Sequence, residues 1–428
     1  MALGGGTFTT QNKELPGAYF NFISRLTASG TIGDRGVVGV ALDLNWGEDD
    51  KMIDVSLSDF QKYSQSIFGY AYGSEELMSL RELFCHAKSL HVYKLTSGGE
   101  KASNDYATAK CSGTRGNDLK VVISSNVDDT SAFDVVLYLG TKKVDSQTVK
   151  AAGELADNSY VEWNKTATLA ATAGTPLAGG TNGTSDADAH QTFLDKLESY
   201  TDTNTIAYAG DNEAIKKLYA AYAKRMRDEI GIKMQAVVYN YRADDFSVVN
   251  VKNSAKLVYW VAGVNAGTAV NKSADNLAYN GELDVNTEYT QDELKACIKA
   301  GEFVLHKVDD EVHVLLDINS YVSVTDEQGE LFQDNQTIRI IDSIAASIAS
   351  VFNKKYSGRV PNKKTGRVSL WADVVKVFKE LVKNGAIEEF NAEDIIVEQG
   401  DTKKSVAVSA AATTVGAMCK LYMTTTLS

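Results

Sequence analysis

The chain has 428 residues, of which 44% are hydrophobic and 23% charged, and 56 acidic against 43 basic residues give a formal net charge of -13. This composition is typical of a soluble globular protein with about three domains, and it disfavours disordered and fibrous classes. The acidic balance also argues against a general nucleic-acid binder, because nonspecific affinity for phosphates comes from clustered lysine and arginine.

The first 22 residues are predicted to form an extended arm. They contain three consecutive glycines and a proline that disfavours a helix. Isolated apolar side chains follow one another at Phe8, Leu15, Tyr19 and Phe22. No basic region precedes an apolar core here, and no apolar run reaches the roughly 20 residues that span a bilayer, so we expect neither a secretory signal nor membrane insertion.

Residues 23–97 predict the beginning of an α/β domain. The stretch RGVVGVALDLNWG (35–47) predicts a buried strand, the apolar spacing over 74–89 predicts a helix, and HVYKL (91–95) predicts the next strand. From 98 to 163 the pattern changes to short alternating runs between Gly, Asn and Asp clusters, which predicts a small β-rich domain with one short helix around 149–155. A Gly/Thr-rich linker leads out of it at 174–184.

From 185 to 318 helices and strands alternate, which indicates a layered α/β domain. The predicted elements are an amphipathic helix with Phe193, Leu194 and Leu197, a strand at 205–210, a helix at 212–230 closed by Gly231, a strand at 234–240 and a helix at 290–301 with a Thr290/Glu293 capping box. The last hundred residues predict helices at 335–355 and 369–384, then strands at 394–398 and 405–411.

The terminal segment alternates like a strand. Met418, Lys420, Tyr422 and Thr424 fall on one side, while Cys419, Leu421 and Met423 fall on the other. A strand needs a neighbour, which this chain or another copy must supply.

The predicted fold is therefore multidomain, α+β and α/β. A layered α/β core is formed by the discontinuous residues 23–97 and 185–318, and it carries an inserted β-rich domain at 98–173 followed by the linker 174–184. A C-terminal α+β domain at 319–416 follows, and extended arms lie at 1–22 and 417–428.

Catalytic signatures are weak. GGTNGTSD (179–186) lacks both phosphate-binding glycine fingerprints, so a domain linker explains it better than a nucleotide site. His306 and His313 face each other if a hairpin turns at 309–310, with Glu302 and Asp317 paired at its far end. A catalytic zinc needs a third protein ligand, which the sequence does not reveal. We therefore expect no catalytic residue, no cofactor and no metal, with a metal- or nucleotide-dependent α/β enzyme and a polymerising surface protein as the alternatives.

One stretch is strongly basic in this acidic chain. NKKYSGRVPNKKTGR (353–367) contains Lys354, Lys355, Arg359, Lys363, Lys364 and Arg367 with no acidic residue between them, and the following helix adds Lys376, Lys379 and Lys383. A solvated loop and a docking surface for an acidic partner both fit this pattern.

Several stretches in order resemble the contractile tail sheath proteins of bacteriophages, prophage-derived particles and R-type bacteriocins. CSGTRGNDLKVVI and FDVVLYLGTKKVDSQTV are similar to the inserted β domain of that family. NTIAYAGDNEAIKKLYAAYAKRMRDEIGIKMQAVVYNYRADDFSVVNV and VAGVNAGTAVNKSADNLAYNGELDV resemble its central domain. FQDNQTIRIIDSIAASIASVFNKKYSGRVPNKKTGR and DIIVEQGDTKKSVAVSAAATTVGAMCKLYMT resemble its C-terminal domain.

The resemblance implies a structural subunit, not an enzyme, that polymerises as stacked rings of six around an inner tail tube and contracts to drive the tube through a cell envelope. It implies that the β domain faces outward and that the partners are inner tube, baseplate and tail terminator proteins. It also implies a protein that is made in the bacterial host cytoplasm and assembled in a virion or phage-tail-like particle. Both arms would add strands to neighbouring subunits, through Phe8, Leu15, Tyr19, Phe22, Lys420, Leu421, Tyr422, Met423 and Thr424. Tube docking would fall on Lys376, Lys379 and Lys383, with Arg359, Lys363, Lys364 and Arg367 as the second choice.

Overall fold

A computed structural model describes residues 35–426. They form two compact units. The larger unit spans 35–343 together with Gly385–Ile387 and 414–426, and the smaller unit comprises Ile344–Asn384 and Glu388–Thr413. The predicted arm contacts Phe8, Leu15, Tyr19 and Phe22 lie outside the described residues.

Residues 35–426 contain 18 strands and eight α-helices. The strands are β1 Val37–Leu42, β2 Met52–Ser56, β3 Ser89–Lys94, β4 Lys101–Ser103, β5 Ala107–Ser112, β6 Leu119–Ser125, β7 Phe133–Leu139, β8 Lys142–Val149, β9 Val161–Trp163, β10 Thr172–Pro176, β11 Thr205–Tyr208, β12 Gln235–Tyr239, β13 Val248–Val251, β14 Glu302–Phe303, β15 Leu305–Val308, β16 Glu311–Val314, β17 Ile396–Gln399 and β18 Val406–Ser409. The helices are α1 Leu57–Phe68, α2 Met78–Phe84, α3 Ala187–Leu197, α4 Glu213–Arg225, α5 Leu257–Gly267, α6 Gln291–Lys299, α7 Asn335–Val351 and α8 Lys364–Lys383.

A seven-stranded sheet with the order β14-β13-β12-β11-β1-β3-β2 forms the centre of the larger unit. All of its pairs are parallel except β2 with β3. Every residue of β1 is buried. Parallel sheets need connections that return across their faces, usually as helices, so their strands lie between two apolar layers.

Helices cover both faces of this sheet. Val38 and Val40 of β1 pack with α1, α2 and α5 in one apolar cluster, which contains Phe60 and Trp260. Ala41, which follows Val40, packs with α3 and α4 in a second cluster. Because alternate residues of a strand point to opposite faces, the two clusters lie on opposite sides of the sheet. The prediction of a layered α/β core is confirmed.

The inserted region contains two antiparallel sheets, with the orders β10-β6-β7-β8 and β4-β5-β9. Side chains of both sheets, including Val121, Leu137 and Val161, share one buried cluster with Trp46. The short helix predicted around 149–155 is a single 3-10 turn, Ala152–Glu154.

A buried lysine joins the inserted sheets to the central sheet. Lys94 ends β3 and is fully buried. Its ammonium donates to Asp49 Oδ1 at 2.9 Å and to the carbonyl and hydroxyl oxygens of Ser112 at 2.8 Å. Since Ser112 is the last residue of β5, one charged group ties strands of two sheets together.

Three predicted helices have different bounds in the structure. The predicted helix at 74–89 is a 3-10 turn, Glu75–Leu77, followed by α2, because the chain turns at 85–88 to enter β3. The predicted helix at 212–230 is α4 continued by a π-helical turn, Met226–Ile230, and Gly231 ends it at φ 88° as expected. Helix α8 starts at Lys364, five residues before the predicted start.

Candidate assembly surfaces

Helix α8 has one buried side and one basic side. Leu370, Val374, Phe378 and Leu381 are buried. The predicted docking residues Lys376, Lys379 and Lys383 are all exposed. Their spacing of three and four residues places them on one face of the helix, and within residues 35–426 none of the three forms an ion pair. This lysine face extends toward the start of α8 through the exposed Ala372 and Val368.

The basic stretch before α8 is only partly available to a partner. Lys355 pairs with Asp373 at 3.0 Å, Arg359 donates to the Lys354 carbonyl, and Arg367 donates to Asn362 Oδ1 at 2.9 Å. Lys363 and Lys364 are exposed. The part of the stretch after Lys355 was predicted as a loop, but Lys364 and Arg367 lie in the first turn of α8. Lys354 and Lys355, at the end of the predicted helix 335–355, lie in a π-helical turn after α7.

A tyrosine anchors this stretch on α8. The Tyr356 hydroxyl donates to Asp373 Oδ2 at 2.6 Å. Burial, together with this carboxylate, raises the pKa of Tyr356 to about 12. The hydroxyl therefore stays protonated at neutral pH and remains a donor. Asp373 thus holds both Lys355 and Tyr356. The exposed basic side chains of the stretch are Lys354, Arg359, Lys363 and Lys364, which lie beside the lysine face of α8 in the sequence.

The segment after Val415 has no assigned strand in its described part. The residues just before this segment are held in place by backbone pairing. Thr414 forms an isolated β-bridge with Ile387, and the Val415 amide donates to the Ala386 carbonyl at 3.0 Å. Beyond it, the side chains are exposed, with fractional exposures of 102% for Met418, 89% for Leu421, 88% for Tyr422 and 78% for Met423. Lys420 and Thr424 are also exposed. The predicted terminal strand thus finds no neighbouring strand within the described chain.

The smaller unit also contains a two-stranded sheet, in which β17 pairs with β18 in antiparallel register. Neither strand has a second neighbour among residues 35–426. Ile396 is 52% exposed and Val408 is 40% exposed. Open strand edges and exposed apolar side chains are the features to which another chain can add a strand.

The histidine hairpin forms with the predicted register. His306 lies opposite His313 in β15 and β16, and Asp309 adopts φ 54° in the turn. The His313 Nδ1 donates to the Asn276 carbonyl at 2.8 Å, and its Nε2 lies 3.2 Å from Glu311. Burial and the neighbouring imidazole lower the pKa of His306. Among the described residues no group of three or more His, Cys, Asp or Glu is placed to hold a metal ion.

The predicted pairing of Glu302 with Asp317 is wrong. Glu302 belongs to β14 of the central sheet and accepts from Arg242 at 3.0 Å. Asp317 instead pairs with Arg339, 2.5 Å away, and both side chains are buried. Two buried carboxylates side by side would repel each other, whereas each of these has an arginine partner.

Two glycines of 179–186, Gly180 and Gly183, serve close backbone packing. A Cβ on Gly183 would lie 1.8 Å from the Ser97 carbonyl oxygen, so no larger residue fits there. The Gly183 amide donates to the Thr96 carbonyl at 3.0 Å. The N-terminus of α3 is already capped by the Asp186 side chain. Asp188 adds a second carboxylate in the first turn, and the two negative charges oppose a bound phosphate.

Sequence comparisons cover most of the chain. Three family models match in order: the phage tail sheath protein beta-sandwich domain at 97–182, the phage tail sheath protein central domain at 183–320 and the phage tail sheath C-terminal domain at 327–428. Two proteins of Bacillus subtilis (strain 168), the uncharacterized protein YqbK and the phage-like element PBSX protein XkdK, are 32% and 31% identical over 98% of this chain and 99% of each relative.

Solved structures agree with these matches. The crystal structure of a sheath tail protein from Desulfitobacterium hafniense has a TM-score of 0.83 at 34% identity, over 93% of this chain and 96% of that chain. The cryo-EM structure of the anti-feeding prophage helical sheath in the contracted state has a TM-score of 0.57 at 12% identity, over 97% of this chain and 99% of that chain, and it shows a shared fold.

The fold and the matched domains define a structural subunit of a phage-type tail, not an enzyme. The chain belongs to the phage tail sheath family. Family membership implies self-assembly and partners within a tail, in a virion or a phage-tail-like particle. No helix of residues 35–426 is long and apolar enough to cross a membrane.

Proposed function

We propose that this chain polymerises as stacked rings of six around an inner tail tube, and that the polymer contracts to drive the tube through a target cell envelope. Two findings support the proposal. The chain belongs to the tail sheath family, and it shares its fold with the anti-feeding prophage sheath, whose helical polymer has been solved in a contracted state.

The observation that carries the proposal is the exposed segment 416–426. Four large apolar side chains in this segment are between 78% and 102% exposed. The Ala417 amide donates to Gln336 Oε1 at 3.2 Å, and the backbone of the segment has no strand partner among the described residues. A second copy can satisfy both needs through strand addition to its β17–β18 sheet. The N-terminal residues Phe8, Leu15, Tyr19 and Phe22 are proposed to act in the same way in another neighbour.

Strand addition suits a polymer that contracts. Shared main-chain hydrogen bonds on an extended tether keep subunits attached while their folded bodies rotate and slide. The extended polymer would be kinetically trapped, and contraction would release free energy as subunits bury more apolar surface against each other. On this account the energy for the stroke is stored during assembly.

The inner tube is proposed to bind the lysine face of α8. Three exposed lysines without ion-pair partners within residues 35–426 form a positive row that fits an acidic surface. The exposed Lys363 and Lys364 would extend this row, and Arg359 and Arg367 would act mainly by holding the stretch before α8. Baseplate and tail terminator proteins are proposed as the partners at the two ends of the polymer.

The docking proposal is tested by charge reversal on α8. The triple variant Lys376→Glu, Lys379→Glu, Lys383→Glu should lower the tube-bound fraction at least about tenfold, because three attractive contacts become repulsive. The matched control reverses Lys101, Lys110 and Lys143, which are exposed on the inserted sheets. Co-sedimentation with inner tubes and electron microscopy measure decoration, and circular dichroism checks the fold. Equal decoration by both triple variants would contradict docking through α8.

A further inference from the structure

The larger unit exposes an apolar surface in the turn at residues 322–331. Three large aliphatic side chains of this turn are exposed, Leu331 by 65%, Val324 by 45% and Val322 by 37%. Three carboxylates lie among them, at Asp326, Glu327 and Glu330. Within residues 35–426 none of these carboxylates forms an ion pair. The 322–331 turn therefore combines apolar area with uncompensated negative charge.

Hydrogen bonds hold the 322–331 turn in one conformation. Tyr321 is buried, and its hydroxyl donates to the Gln328 carbonyl at 3.0 Å. The Asp244 carboxylate accepts from the amides of Val322 and Ser323 at 2.7 and 2.9 Å. Because the backbone is already fixed, a partner that binds the exposed side chains loses little free energy to ordering the turn.

The smaller unit exposes a basic patch around its loop 357–362. Arg359 of this loop donates to the Lys354 carbonyl, and Asn362 Nδ2 donates to the Lys403 carbonyl at 3.1 Å. The loop thus joins the turn after α7 to the turn of the β17–β18 hairpin. The members of the basic patch are the exposed side chains of Lys354, Val360, Lys403 and Lys404.

The basic patch has the composition that the 322–331 turn lacks. Within the described chain none of its three lysines forms an ion pair. Val360 is 39% exposed and adds an aliphatic surface between the lysines. The negative charge of Asp401 in the same hairpin turn is offset by Arg359, which is exposed as well. Three unpaired lysines can therefore match three unpaired carboxylates.

The two surfaces differ from each other, and one copy presents both. A contact between different surfaces is heterologous, so it repeats from copy to copy and builds a ring or a helix. Single exposed ion pairs contribute little to affinity. Several pairs around buried aliphatic area instead orient two partners and exclude wrong ones.

We propose that the 322–331 turn of one copy docks on the basic patch of the next copy in the polymer. This proposal rests on the proposed function, and it adds a contact between folded bodies to the contacts made by the arms. The patch lies in a loop and in a hairpin turn, so the open edges of β17 and β18 stay free. The lysine face of α8 also stays free for the inner tube.

Charge reversal on both surfaces provides the first test. One triple variant reverses the turn, with Asp326→Lys, Glu327→Lys and Glu330→Lys. A second triple variant reverses the patch, with Lys354→Glu, Lys403→Glu and Lys404→Glu. A third chain combines both sets. The matched control carries Asp105→Lys, Asp128→Lys and Glu162→Lys, at exposed acidic residues of the inserted region without ion pairs within residues 35–426.

Each of the first two variants should raise the protein concentration needed for polymers on inner tubes at least about tenfold, because attractive contacts become repulsive. The combined chain should return to within about threefold of the wild type, because opposite charges face each other again. The control should change the concentration less than about threefold. Circular dichroism checks the fold of each chain.

A combined chain that assembles as poorly as either triple variant would overturn the pairing of these two surfaces. Unchanged assembly of either triple variant would overturn it as well. If the patch bound the inner tube, reversal of the turn would have no effect and the combined chain would not recover. Failure of the wild-type chain to polymerise on inner tubes would overturn the proposed function itself.

Truncation of Leu331 tests the apolar part of the contact. Leu331→Ala should weaken assembly about fivefold or more, because a large aliphatic side chain no longer becomes buried at the interface. The control is Val127→Ala, at a side chain 92% exposed between β6 and β7, which should have less than about a twofold effect. Equal losses for the two variants would contradict docking through the turn.

Chemical crosslinking locates the contact directly. A carbodiimide condenses a carboxylate with a lysine amine without inserting a spacer, so it joins only groups in contact. Polymers are formed from an equal mixture of isotope-labelled and unlabelled chains, and the linked peptides are identified by mass spectrometry. We expect links between the turn and the patch that join a labelled peptide to an unlabelled one. Links within one isotope only, or no such link in normally formed polymers, would overturn the proposal.

Discussion

The central sheet and the β17–β18 sheet differ in how many neighbouring strands a single chain supplies to them. The central sheet has seven strands, an edge of only two residues at β14, and helices on both faces. The β17–β18 sheet has two strands, and within residues 35–426 each lacks a second neighbour. Two strands alone are marginally stable in water. The difference predicts that folding depends on the central sheet, and we propose that assembly depends on the smaller sheet and the terminal segment.

The largest expected effect on folding comes from the helical layer of the central sheet. Trp260 in α5 is fully buried, and its indole donates to Asn280 Oδ1 at 2.8 Å. Trp260→Ala should lower the free energy of unfolding by about 3–5 kcal/mol, because it leaves a cavity. It also removes one of the two hydrogen bonds to Asn280 Oδ1, which keeps His86 Nε2 at 3.1 Å. Urea titration measures the change. Tyr63→Ala, at a side chain 45% exposed, is the control and should cost less than about 1 kcal/mol.

An intermediate effect is expected where the central sheet meets the inserted sheets. Lys94→Met should cost about 2 kcal/mol, less than the loss of one partner of a fully buried pair, because Asp49 is 30% exposed and can regain water. Lys51→Met is the matched control, since Lys51 pairs with Glu48 at the surface and should contribute little. If both variants cost the same in urea unfolding, Lys94 does not join the sheets in the way described.

The smallest effect is expected at the capping box of α6. Thr290 accepts from the Glu293 amide, and the Glu293 carboxylate accepts from the Thr290 amide at 2.7 Å. Thr290→Ala should cost about 1 kcal/mol, and Thr290→Ser should restore most of it. Neither variant should alter assembly, because α6 belongs to the larger unit, whose central sheet takes all its strands from one chain. If the Thr290→Ala variant folded but no longer formed polymers, folding and assembly would not depend on different parts of the chain.

Local patterns in the sequence predicted much of the fold. The α6 capping box, the register of His306 with His313 and the end of the fourth helix at Gly231 all follow from neighbouring residues, and all are confirmed. Helix α5 was missed because it is apolar on nearly every side, so it has no helical period to detect. The start of α8 was missed because Lys363 offers no capping hydrogen bond and Gly366 disfavours the first turn.

Long-range relations were beyond local patterns. The arginine partners of Glu302 and Asp317 come from distant parts of the chain, at Arg242 and Arg339. A groove beside β18 combines side chains from the π-helical turn after α7, from the loop before α8, from α8 and from the hairpin. The alternation of residues 418–424 predicted a strand, but its partner is not found within the described chain. The tube-docking and arm residues remain predictions for the same reason.

The most direct test of the account is negative-stain electron microscopy of the full chain and of a variant lacking residues 418–428, each alone and with inner tubes. The account predicts hollow helical tubes with a regular ring repeat for the full chain. It predicts a folded protein for the shortened chain, with an unchanged unfolding temperature and no polymers. Tubes of the same form and yield from the shortened chain would contradict the claim that this sheath is held together by its C-terminal segment.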